Sequence, residues 1–149
     1  MRAVIQRVNQ AKVEVEGKII GQIADGLLIF LSVTHEDTEA DVRFMTDKIV
    51  HLRIFSDENG KMNLSVKDIG GGVLLISQFT LHGDCRKGRR PGFDLAAQPE
   101  LARRLYELVA ASIRQQGVPC ETGIFAAHMH VWSLNDGPVT FLLDSTRLF

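Results

Sequence analysis

Leu27-Leu28-Ile29-Phe30-Leu31-Ser32-Val33 carries a single hydroxyl and no charge, so neither face of this run is fit for water. Alternating side chains of a strand point to opposite faces, and a strand apolar on both must be covered on both. The fold is therefore expected to place a layer on each side of this segment. Working back along the chain, Val4, Gln6, Val13, Glu14 and Val15 give a rough two-residue alternation. Glu16-Gly17-Lys18 then turns the chain into Ile19 to Ile23, which predicts a hairpin. Working forward, Thr38-Glu39-Ala40-Asp41 resembles a capping box, and Val42, Met45, Ile49 and Leu52 follow at helical spacing. A first helix from Thr38 to about His51 is expected, its apolar stripe against the sheet.

A second apolar strand, Val73 to Thr80, lies between the turn signals Gly70-Gly71-Gly72 and Gly83 and becomes polar only at Ser77-Gln78-Phe79-Thr80. Pro99 suits a first helical turn, Leu101, Leu105, Leu108 and Ile113 form the stripe of a second helix, and Gly117 with Pro119 ends it. Three strand-like segments close the chain: Glu121 to Ala127, Met129 to Leu134 and Val139 to Leu143, the last two joined by Asn135-Asp136-Gly137-Pro138. Two helices so far apart do not suggest βαβ alternation. The expectation is one α/β (α+β) domain over residues 1–149, with a mainly antiparallel, barrel-like sheet and two flanking helices.

The chain has 149 residues, of which 45% are hydrophobic and 23% charged, close to a globular average. No apolar run reaches the roughly 18 residues of a membrane span, and no secretory leader is recognisable at Met1 to Arg7. A cytoplasmic address is expected, with Cys85 and Cys120 as free thiols. A net charge of −1 excludes bulk attraction to nucleic acid. Any RNA contact must be local, and Arg86, Lys87, Arg89 and Arg90 form the one basic cluster.

No Gly-x-Ser-x-Gly elbow, phosphate-binding glycine loop or His-Glu-x-x-His is present. His128 and His130 lie two apart without a third ligand at recognisable spacing, so a surface pair is the simpler reading and no metal or cofactor is expected. Ser77 to Thr80 ends a buried strand in hydrogen-bonding side chains, where a backbone can stop pairing and turn its amides to a ligand. Asn135 to Thr140 reads locally as a turn. Phe125 and Met129 read equally as core.

Ser77-Gln78-Phe79-Thr80-Leu81 and Asn135-Asp136-Gly137-Pro138-Val139-Thr140 resemble the two signature motifs of D-aminoacyl-tRNA deacylases. The resemblance extends to Met1 through Val8, to Lys87-Gly88-Arg89-Arg90-Pro91 and to Thr122-Gly123-Ile124-Phe125, and covers essentially the whole chain. Ala126, where the family commonly has glycine, and His128-Met129-His130 depart from it. What it implies is hydrolysis of the ester joining a D-amino acid, or glycine mischarged on tRNA(Ala), to the terminal adenosine of tRNA. It further implies a homodimer with active sites at the subunit interface, and a cis Gly137-Pro138 peptide reaching into the partner's site to reject L residues.

By the same resemblance Ser77, Gln78, Phe79 and Thr80 lie beside the scissile ester, and Phe125 and Met129 line the adenine site. Thr80 as a nucleophile would need a base that the sequence does not evidently supply. The family's alternative is assistance by the ribose 2′-hydroxyl. A related deacylase that removes L-alanine and a non-catalytic RNA-end binder are the competing readings. A methyl added at Gly137 is expected to clash with bound aminoacyl group and to leave the thermal midpoint nearly unchanged.

Overall fold

The computed structural model describes residues 1–148. Its first strand, β1 (Arg2–Val15), forms a hairpin with β2 (Lys18–Ile23) across Glu16 and Gly17. Both turn residues have positive φ, +50° and +76°, as a two-residue hairpin loop of the right twist requires. The decisive apolar run becomes β3 (Gly26–Ser32), antiparallel to the first half of β1.

Thr38 caps α1 (Glu39–His51) through the expected reciprocal box with Asp41. A small hairpin of β4 (Phe55–Ser56) and β5 (Met62–Leu64) leads to β6 (Gly72–Ser77). The chain then makes a 3-10 turn, Phe79–His82, before α2 (Pro99–Gln115), which starts at the expected proline. It ends through β7 (Cys120–Thr122) and β8 (His130–Asp144).

The class is as expected, but the sheet is mixed and not mainly antiparallel. β3 pairs β6 in parallel, and β6 pairs β7 in parallel. The cause is the helices: α1 lies between β3 and β6, and α2 between β6 and β7, so each helix carries the chain back to the end at which the previous strand began. These are βαβ units, against the expectation from the helix spacing.

Why β3 is apolar on both faces is now evident. Leu27, Ile29 and Leu31 join Val73 and Leu75 of β6 in a core shared with α1 and α2. Leu28, with Leu74 and Ile76, points the other way into a second cluster with Val8, Ala11 and Val13. That second cluster fills the inside of the curled sheet. The curl brings β2 to β7, where a Cβ at Gly21 would stand 3.0 Å from the Thr122 carbonyl.

Two further corrections concern the C-terminal third. The strand expected over Glu121 to Ala127 stops at Thr122. The two strands expected around Asn135–Pro138 are one, β8, paired with β1 on both sides of residues 136–139. Between the pairs Gln6–Thr140 and Val8–Asn135, Arg7 alone faces residues 136–139, so the supposed turn is a bulge in a continuous strand.

Candidate functional site

The end of β6 opens onto a cavity of about 490 Å³. Ser77, Gln78 and Phe79 line it from one side, Phe125 and Met129 from another, and Ala97, just before α2, and Ala102, near its start, complete the lining. The structure thus brings Ser77–Phe79 to one cavity with Phe125 and Met129, which lie 46 or more positions further along the chain. Thr80 stands just outside, its hydroxyl accepting from the Gln78 side-chain amide.

At the 3-10 turn the polypeptide stops pairing. Gln78 N–H still donates to Leu31 O at 2.8 Å. The opening amides of such a turn have no acceptor within it. Neither Phe79 nor Thr80 N–H meets another main-chain acceptor among the described residues. Two donors are therefore left beside the cavity. The Phe79 ring is 54% exposed and rests edge-on against Phe93 with centroids 5.0 Å apart.

Below the turn lies a buried network that the sequence did not reveal. His82 is 4% exposed, with Nδ1 2.6 Å from Ser32 Oγ, and Ser32 Oγ is 3.3 Å from Phe79 O. One arrangement satisfies all three groups: Nδ1–H donates to Ser32, whose hydroxyl donates to the Phe79 carbonyl. Burial, reinforced by the Arg2 guanidinium, lowers the His82 pKa and favours the neutral ring. Ser32 was visible as the lone hydroxyl of its run, but its partner lies 50 residues away. Ser32→Ala is expected to orphan a buried ring N–H, at about 1 to 3 kcal/mol. Thermal unfolding should show a midpoint lower by at least about 2 °C; a variant that melts with the parent would contradict the network.

Gly137 and Pro138 are exposed on the β8 bulge and do not line this cavity. Their peptide bond is cis. Arg7 braces the bulge, donating from Nε to Asp136 O at 3.2 Å and pairing with the Asp136 carboxylate at 2.9 Å, while Nη1 donates to Ile54 O at 2.7 Å. Asn135 Oδ1 accepts from Val139 N–H across the bulge at 3.0 Å.

Gly137 itself has φ +137°, and an added Cβ would lie 2.5 Å from Val139 Cγ2 and 2.9 Å from Val139 N. A methyl there disturbs the bulge of its own chain. The expectation of unchanged stability is corrected accordingly. In the sheet, Arg7 pairs Leu27 and Ser77 pairs Leu31. Four residues along β3 and three strand spacings of the sheet separate the two motifs within one chain.

The basic loop divides. Asp84 and Gly92 exchange two backbone hydrogen bonds at its base. Arg86 is held by Asp84, Nε at 2.9 Å and Nη2 at 2.8 Å, and this partner holds the Asp84 carboxyl down at about 2. Lys87, Arg89 and Arg90 are exposed at the tip. His128 and His130 stack edge-to-face at 5.2 Å, and no group of three or more potential metal ligands occurs among the described residues. Cys85 and Cys120 are free, and burial pushes the Cys120 thiol up to about 11. Ala126 has φ +63°, a left-handed conformation that favours glycine. No helix is long and apolar enough to cross a membrane.

A cavity at a strand end, with the unpaired Phe79 amide on one wall and an aromatic and a thioether on another, is the site of a ligand-binding or catalytic protein. Its kinship is specific. The family model described as D-Tyr-tRNA(Tyr) deacylase matches residues 4–144. The D-aminoacyl-tRNA deacylase of Clostridioides difficile (strain 630) is 61% identical, covering 100% of both chains. That of Thermotoga petrophila is 58% identical, again over 100% of both. A solved structure titled "c-Myc DNA Unwinding Element Binding Protein" superposes with a TM-score of 0.92 at 40% identity, over 97% of this chain and 98% of that one. A probable eukaryotic D-amino acid tRNA deacylase shares the fold, with a TM-score of 0.82 at 17% identity over 95% and 97% of the two chains.

The chain belongs to the D-Tyr-tRNA(Tyr) deacylase family. It is a hydrolase of the ester bond in D-aminoacyl-tRNA.

Proposed function

We propose that the protein is a cytoplasmic proofreading enzyme that works as a homodimer, each active site joining the Ser77–Thr80 cavity of one chain to Gly137–Pro138 of the other. The observation that carries this reading is the separation of the two motifs within one chain, each incomplete where it stands. The outer face of β8 supports it: Trp132, Leu134 and Leu142 are 57%, 60% and 55% exposed, an apolar strip unusual on a lone molecule.

In this reading the terminal adenosine lies between Phe125 and Met129, a flat ring and a soft side chain suited to a base. The ester carbonyl faces the 3-10 turn, where the Phe79 amide, with Gln78 and Thr80 close by, stabilises the oxyanion. Main-chain carbonyls of the bulge hold the α-ammonium. A D side chain then points to solvent while an L side chain meets the bulge, so selection works by rejection. Glycine offers nothing to reject, and glycine mischarged on tRNA(Ala) is cleaved too. Lys87, Arg89 and Arg90, with Arg86 more weakly because of Asp84, touch acceptor-stem phosphates.

Thr80 positions rather than attacks. Its hydroxyl accepts a hydrogen bond from the Gln78 side-chain amide, which supports a positioning role. The ribose 2′-hydroxyl assists attack on the neighbouring ester. Thr80→Ala is accordingly expected to retain measurable turnover, whereas an acyl ester trapped on Thr80 would contradict this assignment.

The shared site is tested by mixing subunits. Ala127→Trp fills the cavity from a loop, and Gly137→Ala disturbs the bulge; each homodimer should be slow on D-tyrosyl-tRNA. A mixed dimer puts both faults in one site and leaves the other intact, so about half the parent turnover should return. Mixed dimers as slow as their parents would overturn the reading.

A further inference from the structure

A second, smaller cleft of about 220 Å³ adjoins the cavity and shares Phe125 with it. One stripe of α2 forms its floor, Arg103, Tyr106, Glu107, Ala110 and Arg114, and residues 122–125 form its other wall. The spacing of three, four, seven and eleven places them along one helix face, with the two arginines about 16 Å apart along the axis.

Both arginines are held in place without being neutralised. Arg103 lies with its guanidinium carbon 5.0 Å from the Phe125 ring centre. Arg114 is anchored through Nε to Cys120 O at 2.8 Å. Among the described residues, the arginines paired with carboxylates are Arg2, Arg7, Arg86 and Arg104. Arg103 and Arg114 are not among them, although Glu107 lines the same cleft. Two oriented guanidinium groups without anions, beside an aromatic face, are the usual elements of a single-stranded RNA track.

We propose that this cleft binds the phosphodiester backbone immediately 5′ of the terminal adenosine, with Arg103 on the first phosphate and Arg114 further along α2. The RNA strand thus leaves the cavity over Phe125 and α2. The inference rests on the adenosine reading of the larger cavity. Glu107 between the arginines confines anion binding to two discrete points.

The test compares D-tyrosyl-tRNA with D-tyrosyl-adenosine, a 3′ ester without a phosphate, as substrates of the whole protein. Arg103→Gln is expected to raise KM for D-tyrosyl-tRNA about tenfold, the value of one charge-assisted contact. It should also reduce the log–log salt slope by about 0.7. KM for D-tyrosyl-adenosine should stay at the parent value. Arg103→Lys should restore most of the slope. Arg104→Gln, which removes an equal charge from the same helix at the Glu39 pair, should change neither substrate.

Unchanged KM and slope on D-tyrosyl-tRNA in Arg103→Gln would overturn the proposal. So would an equal rise on both substrates, which would mean that Arg103 only supports Phe125. Failure of the underlying reading has its own signature: the parent protein would neither cleave D-tyrosyl-adenosine nor be inhibited by adenosine, and the proposal would fall with it.

Discussion

Gly137→Ala is expected to slow cleavage of D-tyrosyl-tRNA roughly 5- to 150-fold and to lower the thermal midpoint by about 2 to 12 °C. A Cβ on Gly137 would stand 2.5 Å from Val139 Cγ2 and 2.9 Å from Val139 N, and φ at +137° is a conformation that residues with a side chain rarely adopt. The bulge must therefore shift, and overpacking of this kind costs about 1 to 3 kcal/mol. Arg7 limits how far it can move, because the same guanidinium holds both Asp136 and Ile54 O. The lost geometry should appear in the rate if the bulge belongs to a site, and in the melt because the clash is internal to the chain. Parent rate with a lowered midpoint would remove the bulge from the site. Equal cleavage of L- and D-tyrosyl-tRNA would show that the glycine itself rejects L residues.

Gly26→Ala should be the more damaging change to stability. Gly26 pairs Gly72 where β3 and β6 begin to run parallel. An added Cβ would lie 1.9 Å from Gly72 O and 2.8 Å from both Gly72 C and N. Main chain cannot rotate aside as a side chain can, so the two strands at the centre of the sheet must separate. A cost of at least about 3 kcal/mol is expected, the upper end of ordinary overpacking. For a chain of this length that corresponds to a fall in midpoint of roughly 6 to 12 °C. Gly92→Ala serves as the comparison, since its Cβ would meet nothing nearer than Asp94 Oδ2 at 3.9 Å. Thermal unfolding followed by circular dichroism measures both. A Gly26→Ala midpoint within about 2 °C of the parent would contradict the close approach.

Much of the framework was legible because local chemistry decided it. The capping box at Thr38, Pro99 at the head of α2 and the doubly apolar β3 each state their structure within a few residues. Strand direction was not legible, since nothing in Leu27–Val33 or Val73–Thr80 records which end of a partner it will meet; α1 and α2 decide that. The β8 bulge was misread for a related reason. Asn-Asp-Gly-Pro is common in turns, but here Arg7, 129 positions before Asp136, keeps the strand continuous around it.

The site was legible by resemblance and only faintly by residue. Ser77–Phe79 is marked in the sequence as the polar end of a buried strand, whereas nothing local separates Phe125 and Met129 from core residues; the fold sets them at the cavity. His82 looked like any scattered histidine; only Ser32, on the neighbouring strand, gives it a task.

The protein hydrolyses the ester of D-aminoacyl-tRNA, and in the reading proposed above it spares the L form. The direct measurement is the initial rate of deacylation of D-tyrosyl-tRNA and L-tyrosyl-tRNA by the same preparation at equal concentrations. Rapid release of D-tyrosine, with L-tyrosyl-tRNA no less stable than in buffer alone, is the result expected. Equal release of both, or release of neither, would contradict the account.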